Sequence, residues 1–192
     1  MARTKAFDQT EVLKKIQKLF WDKGFNGTSV DDLVNTSGLS RSSLYDTFGD
    51  KEALFIASLE LYRQENTRQM VEMIEQSNDV RQTVTEIFDY ILEDSRNHHR
   101  LGCLMVNTAI ELAPHEKKIA KAVDENMTVI HDAMVKLIRR SQAKGELSKT
   151  HSPEALSTMV LTSVNGLRVA EKWGTEEKTY KRVREIILSL FE

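Results

Sequence analysis

The chain has 192 residues, enough for one or two domains with a real core, and its eight glycines and two prolines leave a composition that favours helix over sheet. A net charge of −2 argues against nonspecific coating of nucleic acid, and a single cysteine excludes an intrachain disulfide framework. No apolar run reaches the roughly 18 residues of a membrane span and no N-terminal stretch resembles a signal peptide, so an all-α, soluble, cytoplasmic protein without a membrane partner is expected.

Asp8 and Glu11 form a capping-box pattern, and Val12, Leu13, Ile16, Leu19 and Phe20 make an apolar stripe that ends before Gly24. Thr28, with Asp31 three residues on, predicts the N-cap of a short helix starting near Ser29, with Val30, Leu33 and Val34 on its apolar face. Gly38 ends that helix, and Ser40 caps a second one with Leu44 and Phe48 inward. The pattern is helix, turn, helix. Asp50 then caps a helix running to about residue 76, roughly 40 Å long at 1.5 Å per residue. Further helices fit about 79 to 96, about 102 to 113 before Pro114, and a long stretch from Ile119 up to Gly145. Ser152 with Pro153 opens a helix ending near Gly174, and Thr175 opens the last, about nine in all. Residues 1 to 51 carry Arg3, Lys5, Lys14, Lys15, Lys18, Lys23, Arg41 and Lys51 against seven acids, about +1, and the remainder is about −3. Binding of DNA would rest on a few placed cations rather than a broad basic field.

The stretches GFNGTSVDDLV from Gly24, GLSRSSLYDTF from Gly38 and DKEALF from Asp50 resemble the DNA-binding domain of TetR/AcrR-family bacterial transcriptional regulators. GCLMVNTAIELAP, from Gly102 to Pro114, is similar to a segment in one broad branch of that family. The resemblance implies a helix-turn-helix DNA-binding domain over residues 1–50 and a helical ligand-binding and dimerisation domain over 51–192. It also implies a homodimer whose heads meet neighbouring major grooves of a palindromic double-stranded operator, released by a small-molecule effector.

Asking which side chains of the second short helix point away from Leu44 and Phe48 leaves Arg41, Ser42, Ser43 and Thr47 outward. Arg41 at the helix start suits bidentate pairing with guanine, and small hydroxyls permit close approach to the groove. Family resemblance places Tyr45 and Lys51 against the sugar-phosphate backbone, and free backbone N–H groups near Thr28 and Asp50 add helix-terminal anion sites; Ser29 and Ser40 complete the candidate DNA contacts. Asp46 would repel phosphate, so it points away, accepts from a backbone group, or reads a cytosine amino group.

In the body, Leu156, Met159, Val160, Val164 and Leu167 form a stripe that Tyr180, Val183, Ile187 and Leu190 extend. The resemblance implies that two such terminal helix pairs form the dimer interface; packing within the same chain is the competing reading. Candidate effector contacts are polar or aromatic groups in apolar helices: Phe88, Tyr90, Cys103, Asn107, Thr108, Glu111, Met127, His131, Met134 and Asn165. Core filling gives the same signature. A lipophilic or aromatic effector is expected, with no cofactor.

Cys103 is either a buried structural thiol or, at a helix start just after His98, His99 and Arg100, a sensor of oxidants or electrophiles. A zinc site from His98, His99 and Cys103 lacks a recognisable ligand spacing. No nucleotide loop, metal-protease pattern or local nucleophile signature points to an enzyme. A protein-partner module that has lost operator binding is the remaining alternative, against which Arg41, Tyr45 and Lys51 stand together.

Overall fold

Asp8 begins the first helix by accepting from the backbone N–H groups of Thr10 and Glu11, so α1 runs Gln9–Lys23. The computed structural model describes residues 7–97 and 100–191 and divides the chain into two compact units, 1–65 and 66–192. Within the described residues all regular structure is helical.

In the first unit, α2 spans Val30–Ser37 and α3 spans Arg41–Phe48. The cap of α2 is Ser29 rather than Thr28. Ser29 accepts from the Asp32 N–H, while the Asp32 carboxylate accepts from the Ser29 N–H and hydroxyl. Thr28 is committed elsewhere, because its hydroxyl donates to the Gly24 carbonyl at 2.6 Å. Gly38, at φ 68°, supplies the left-handed residue that turns the chain from α2 into α3. Asp50 caps α4, Lys51–Tyr62, by accepting from Ala53. Phe20, Leu33, Leu44, Leu54 and Phe55 are fully buried, and Gln17 on α1 donates to the Ser58 carbonyl on α4. The unit closes later than residue 50 because Leu54, Phe55, Leu59 and Tyr62 of α4 belong to the head's own core.

The helix opened by Asp50 continues through a π-helical turn, Arg63–Thr67, into α5, Arg68–Gln76. The division between the two units falls in that turn. Counting 51–76 once, the described residues hold nine helical rods, as the spacing predicts.

The second unit continues with α6 Val80–Asn97, α7 Leu104–Glu111, α8 Lys117–Lys144, α9 Pro153–Ala170 and α10 Glu177–Ser189. Its core joins Ile74, Val84, Ile87, Phe88, Ile91, Met134, Leu137, Ile138, Val160, Leu167 and Tyr180. The segment from 102 is shorter than expected because Cys103 is the N-cap. A 3-10 turn, Glu171–Trp173, follows α9, and the cap of α10 is Glu176 rather than Thr175, whose hydroxyl instead donates to the Ala170 carbonyl. No described helix is long and apolar enough to cross a membrane.

Candidate nucleic-acid interface

The α3 helix turns its two sides to different media. Leu44 is fully buried against the head core, while Arg41, Ser42 and Ser43 are exposed. The hydroxyl of Ser40 accepts from the Ser43 N–H and donates to the Ser43 Oγ at 3.0 Å, which leaves the Ser43 proton available outward. The Arg41 guanidinium lies 5.6 Å from the Tyr45 ring centre, so the half-buried phenol ring braces it. At the start of α4, the Lys51 ammonium sits 4.4 Å from the centre of the Phe25 ring.

Three of the expected hydroxyls are spoken for. Thr28 is 1% exposed and its hydroxyl proton is bonded to the Gly24 carbonyl, so its side chain is committed to the head itself. The Ser29 hydroxyl donates to Asp32 at 2.7 Å and accepts from the Asp32 N–H. Thr47 is half-buried, and its hydroxyl donates to the Ser43 carbonyl, leaving only lone pairs, which suit a base amino group and not a phosphate. Asp46 is exposed. Asp32 also receives a 2.7 Å hydrogen bond from Lys23, and this ammonium, followed by Ser29, holds its carboxyl well below the usual carboxylate range.

In the body, the candidate effector residues share one unit but differ in availability. Phe88 and Met134 are core residues, and Thr108 is buried with its hydroxyl returned to the Leu104 carbonyl. Tyr90, Cys103, Asn107, Glu111, Met127, His131 and Asn165 are half-buried. Asn107 donates to the Leu101 carbonyl, and burial pushes the Tyr90 phenol above its ordinary range. Of the terminal stripe, Leu156, Val160, Val164, Leu167, Tyr180 and Ile187 are buried in their own chain, because each faces the core. Only Met159 is strongly exposed, at 50%, with Val183 and Leu190 half-buried. Trp173 at 72% and Ile186 at 67% are further outward apolar groups at this end of the chain, Ile186 on the apolar side expected for the last helix but outside the expected interface.

A buried ionic cluster was also missed. Arg168 on α9 pairs with Asp94 on α6 at 2.5 Å and lies 3.5 Å from Glu171, whose other oxygen accepts from the Gly102 N–H at 3.0 Å. Gly102, at φ +71°, leaves no room for a side chain, since a Cβ would stand 2.8 Å from the Arg168 carbonyl. A single arginine inside the apolar run around Leu167 was the available signal. His98 and His99 lie outside the described residues, and among the described residues no cluster of three metal-ligating side chains forms.

Residues 12–58 match the model of bacterial regulatory proteins of the tetR family, and residues 80–187 match the tetracyclin repressor-like C-terminal domain. This chain belongs to the TetR family. Among curated relatives it is 32% identical over 77% of each chain to the uncharacterised HTH-type transcriptional regulator YezE of Bacillus subtilis. It is 25% identical to the HTH-type transcriptional repressor ComR of Escherichia coli, covering 98% of this chain and 91% of ComR. A solved TetR-family regulator, a cysteine mutant of CifR complexed with a 26-base-pair operator duplex, superposes with a TM-score of 0.84 at 26% identity, covering 99% of this chain and all of that one. The helix-turn-helix head is therefore that of a DNA-binding transcriptional regulator, and the TetR family and its relatives are regulators rather than enzymes.

Proposed function

We propose that this chain is a homodimeric repressor that binds a palindromic operator and is released by a small-molecule effector in the cytoplasm. The observation that carries the reading is the exposed edge of α3, where Arg41, Ser42 and Ser43 stand outward over a buried Leu44. Arg41 is the base reader, supported by its brace on Tyr45, and each good bidentate contact to guanine discriminates by about 1–3 kcal/mol. Ser42 and Ser43 allow close approach, and Ser40 acts as their cap. The Tyr45 hydroxyl and the Lys51 ammonium meet phosphate oxygens and set the register.

Dimerisation through α9 and α10 is supported by the outward apolar groups Met159, Trp173 and Ile186, flanked by Val183 and Leu190. For the effector, the half-buried Tyr90, Asn107, Met127, His131 and Asn165 form a mixed apolar and polar set that suits a lipophilic or aromatic molecule. A thermal-shift screen finds it, since a ligand bound only by the native state raises the unfolding temperature. A second reading, sensing of oxidants or electrophiles, draws on the half-buried thiol of Cys103 at the start of α7. It fails if Cys103→Ser leaves peroxide and quinone responses of DNA binding unchanged.

Selection from random duplex DNA tests the main proposal. Enrichment of a palindrome supports it, and enrichment of nothing at moderate salt refutes it. On the enriched site, Lys51→Ala should lower affinity uniformly and reduce the salt slope by about 1, whereas Arg41→Ala should relax one base position.

A further inference from the structure

Phe25 lies in the turn between α1 and α2, far in sequence from Lys51, and its ring is fixed by two neighbours. Phe20 stacks on it at 6.3 Å with a 21° angle between planes, and Phe55 meets it at 5.2 Å and 68°. Phe20 and Phe55 in turn pack edge to face at 5.0 Å and are themselves buried. Phe25 is only half-buried, and the Lys51 ammonium lies 4.4 Å from its centre. That distance is within the range over which a ring quadrupole attracts a cation.

The pairing solves a problem of placement. Lys51 is the first residue of α4, where the helix dipole presents its positive end and disfavours a cation. A lysine there would ordinarily extend into water and sample many rotamers, most of which it must give up on meeting a phosphate. A ring held by Phe20 and Phe55 offers the ammonium a fixed seat, and because Phe25 and Lys51 are both only half-buried the seat lies at the surface of the head. The core of the head therefore determines where a surface charge stands.

We propose that Phe25 is a positioning residue for DNA binding, which holds the Lys51 ammonium in its phosphate-binding place before DNA arrives. The proposal rests on the reading of Lys51 as a phosphate contact. Its mechanism is preorganisation: the ring touches no DNA, and affinity rises because less side-chain freedom is lost on binding.

The test uses the full chain and the duplex enriched by selection, with affinity measured by fluorescence anisotropy over a range of salt. Phe25→Leu keeps the packing apolar and removes the π face; operator affinity should fall roughly three- to tenfold. Phe25→Tyr, which keeps the ring, should restore affinity to within about twofold of wild type. The deciding measurement is Phe25→Leu in a Lys51→Gln background, where it should cost nothing further. An equal loss in both backgrounds overturns the proposal, because it would show that Phe25 merely packs the head. A Lys51→Gln protein with unchanged affinity and salt slope overturns the phosphate reading of Lys51 and the positioning role with it, whereas a weakened Lys51→Gln protein alongside an unaffected Phe25→Leu overturns positioning alone. An NMR spectrum of the DNA-free protein gives an independent readout: the Lys51 ε-methylene protons should be shifted upfield by the ring, and the shift should vanish in Phe25→Leu. Resonances at ordinary lysine positions in the wild type overturn the proposal.

Discussion

Replacing Arg168 by methionine should destabilise the body by about 3–5 kcal/mol, the usual cost of breaking a buried ion pair from one side. Arg168 is 5% exposed, with its guanidinium 2.5 Å from an Asp94 oxygen and 3.5 Å from a Glu171 oxygen that accepts no hydrogen bond among the described residues. Methionine has a similar length, so the loss is electrostatic: two buried carboxylates keep their desolvation cost and lose the Arg168 cation they share. At an effective dielectric near 20, two unit charges about 4 Å apart interact by roughly 4 kcal/mol, which agrees with that range. For a chain of this size each kcal/mol moves the unfolding midpoint by about 2–4 °C, so a fall of about 6–20 °C is expected. Urea unfolding followed by circular dichroism, at one fixed protein concentration so that the proposed dimerisation contributes equally to both proteins, measures the change. In an Asp94→Asn, Glu171→Gln background the same substitution should be far cheaper, since no charge is left uncompensated. A cost below about 1 kcal/mol in the wild-type background, or costs in the two backgrounds equal within about 0.5 kcal/mol, would refute the reasoning.

Leu44→Ala should cost about 2–5 kcal/mol, because the side chain is fully buried beneath α3; calorimetry of the purified variant checks it. Ser29→Ala removes the α2 cap and should cost about 0.5–2 kcal/mol, whereas Thr28→Ser, which keeps the hydroxyl bonded to Gly24, should cost less in the same urea assay. Asp32 gives a pH dependence. Its carboxyl titrates below the unfolded value near 4, so its contribution is present above that pH and is lost as pH falls toward the folded value. Asp32→Asn should thus be less stable than wild type near neutrality, with the gap closing below about pH 4 in pH-stepped denaturation. Ile186→Glu should leave circular dichroism unchanged and shift the chain to a monomer in analytical ultracentrifugation; a persistent dimer would place the interface elsewhere.

The helices were legible in the sequence because caps and apolar spacing are local. Asp8, Ser40, Asp50, Ser152 and Gly38 each do at their positions what their residue type suggests. Errors arose where two hydroxyls stood side by side or near a second acceptor: Thr28 returned to Gly24 and left the cap to Ser29, and Thr175 returned to Ala170 and left the cap to Glu176. Which face of the terminal stripe is outward was not legible, since Val160 and Met159 are both apolar and only packing against α6 and α8 decides that the first is buried and the second exposed. The Phe25 and Lys51 pair and the Asp94, Arg168 and Glu171 cluster join residues distant in sequence, and periodicity carries no information about such meetings.

Among the described cations of the head, Lys14 is paired with Glu65 at 3.0 Å and Lys23 with Asp32, while Arg41 over Tyr45 and Lys51 over Phe25 are the ones the proposed reading turns to DNA. On the proposed reading, each head neutralises few phosphates, so its grip on arbitrary duplex is weak and changes little with ionic strength. The rest of a chromosome is then a poor competitor for the operator. On that same reading, copies that leave the operator return to free solution instead of sliding along neighbouring DNA.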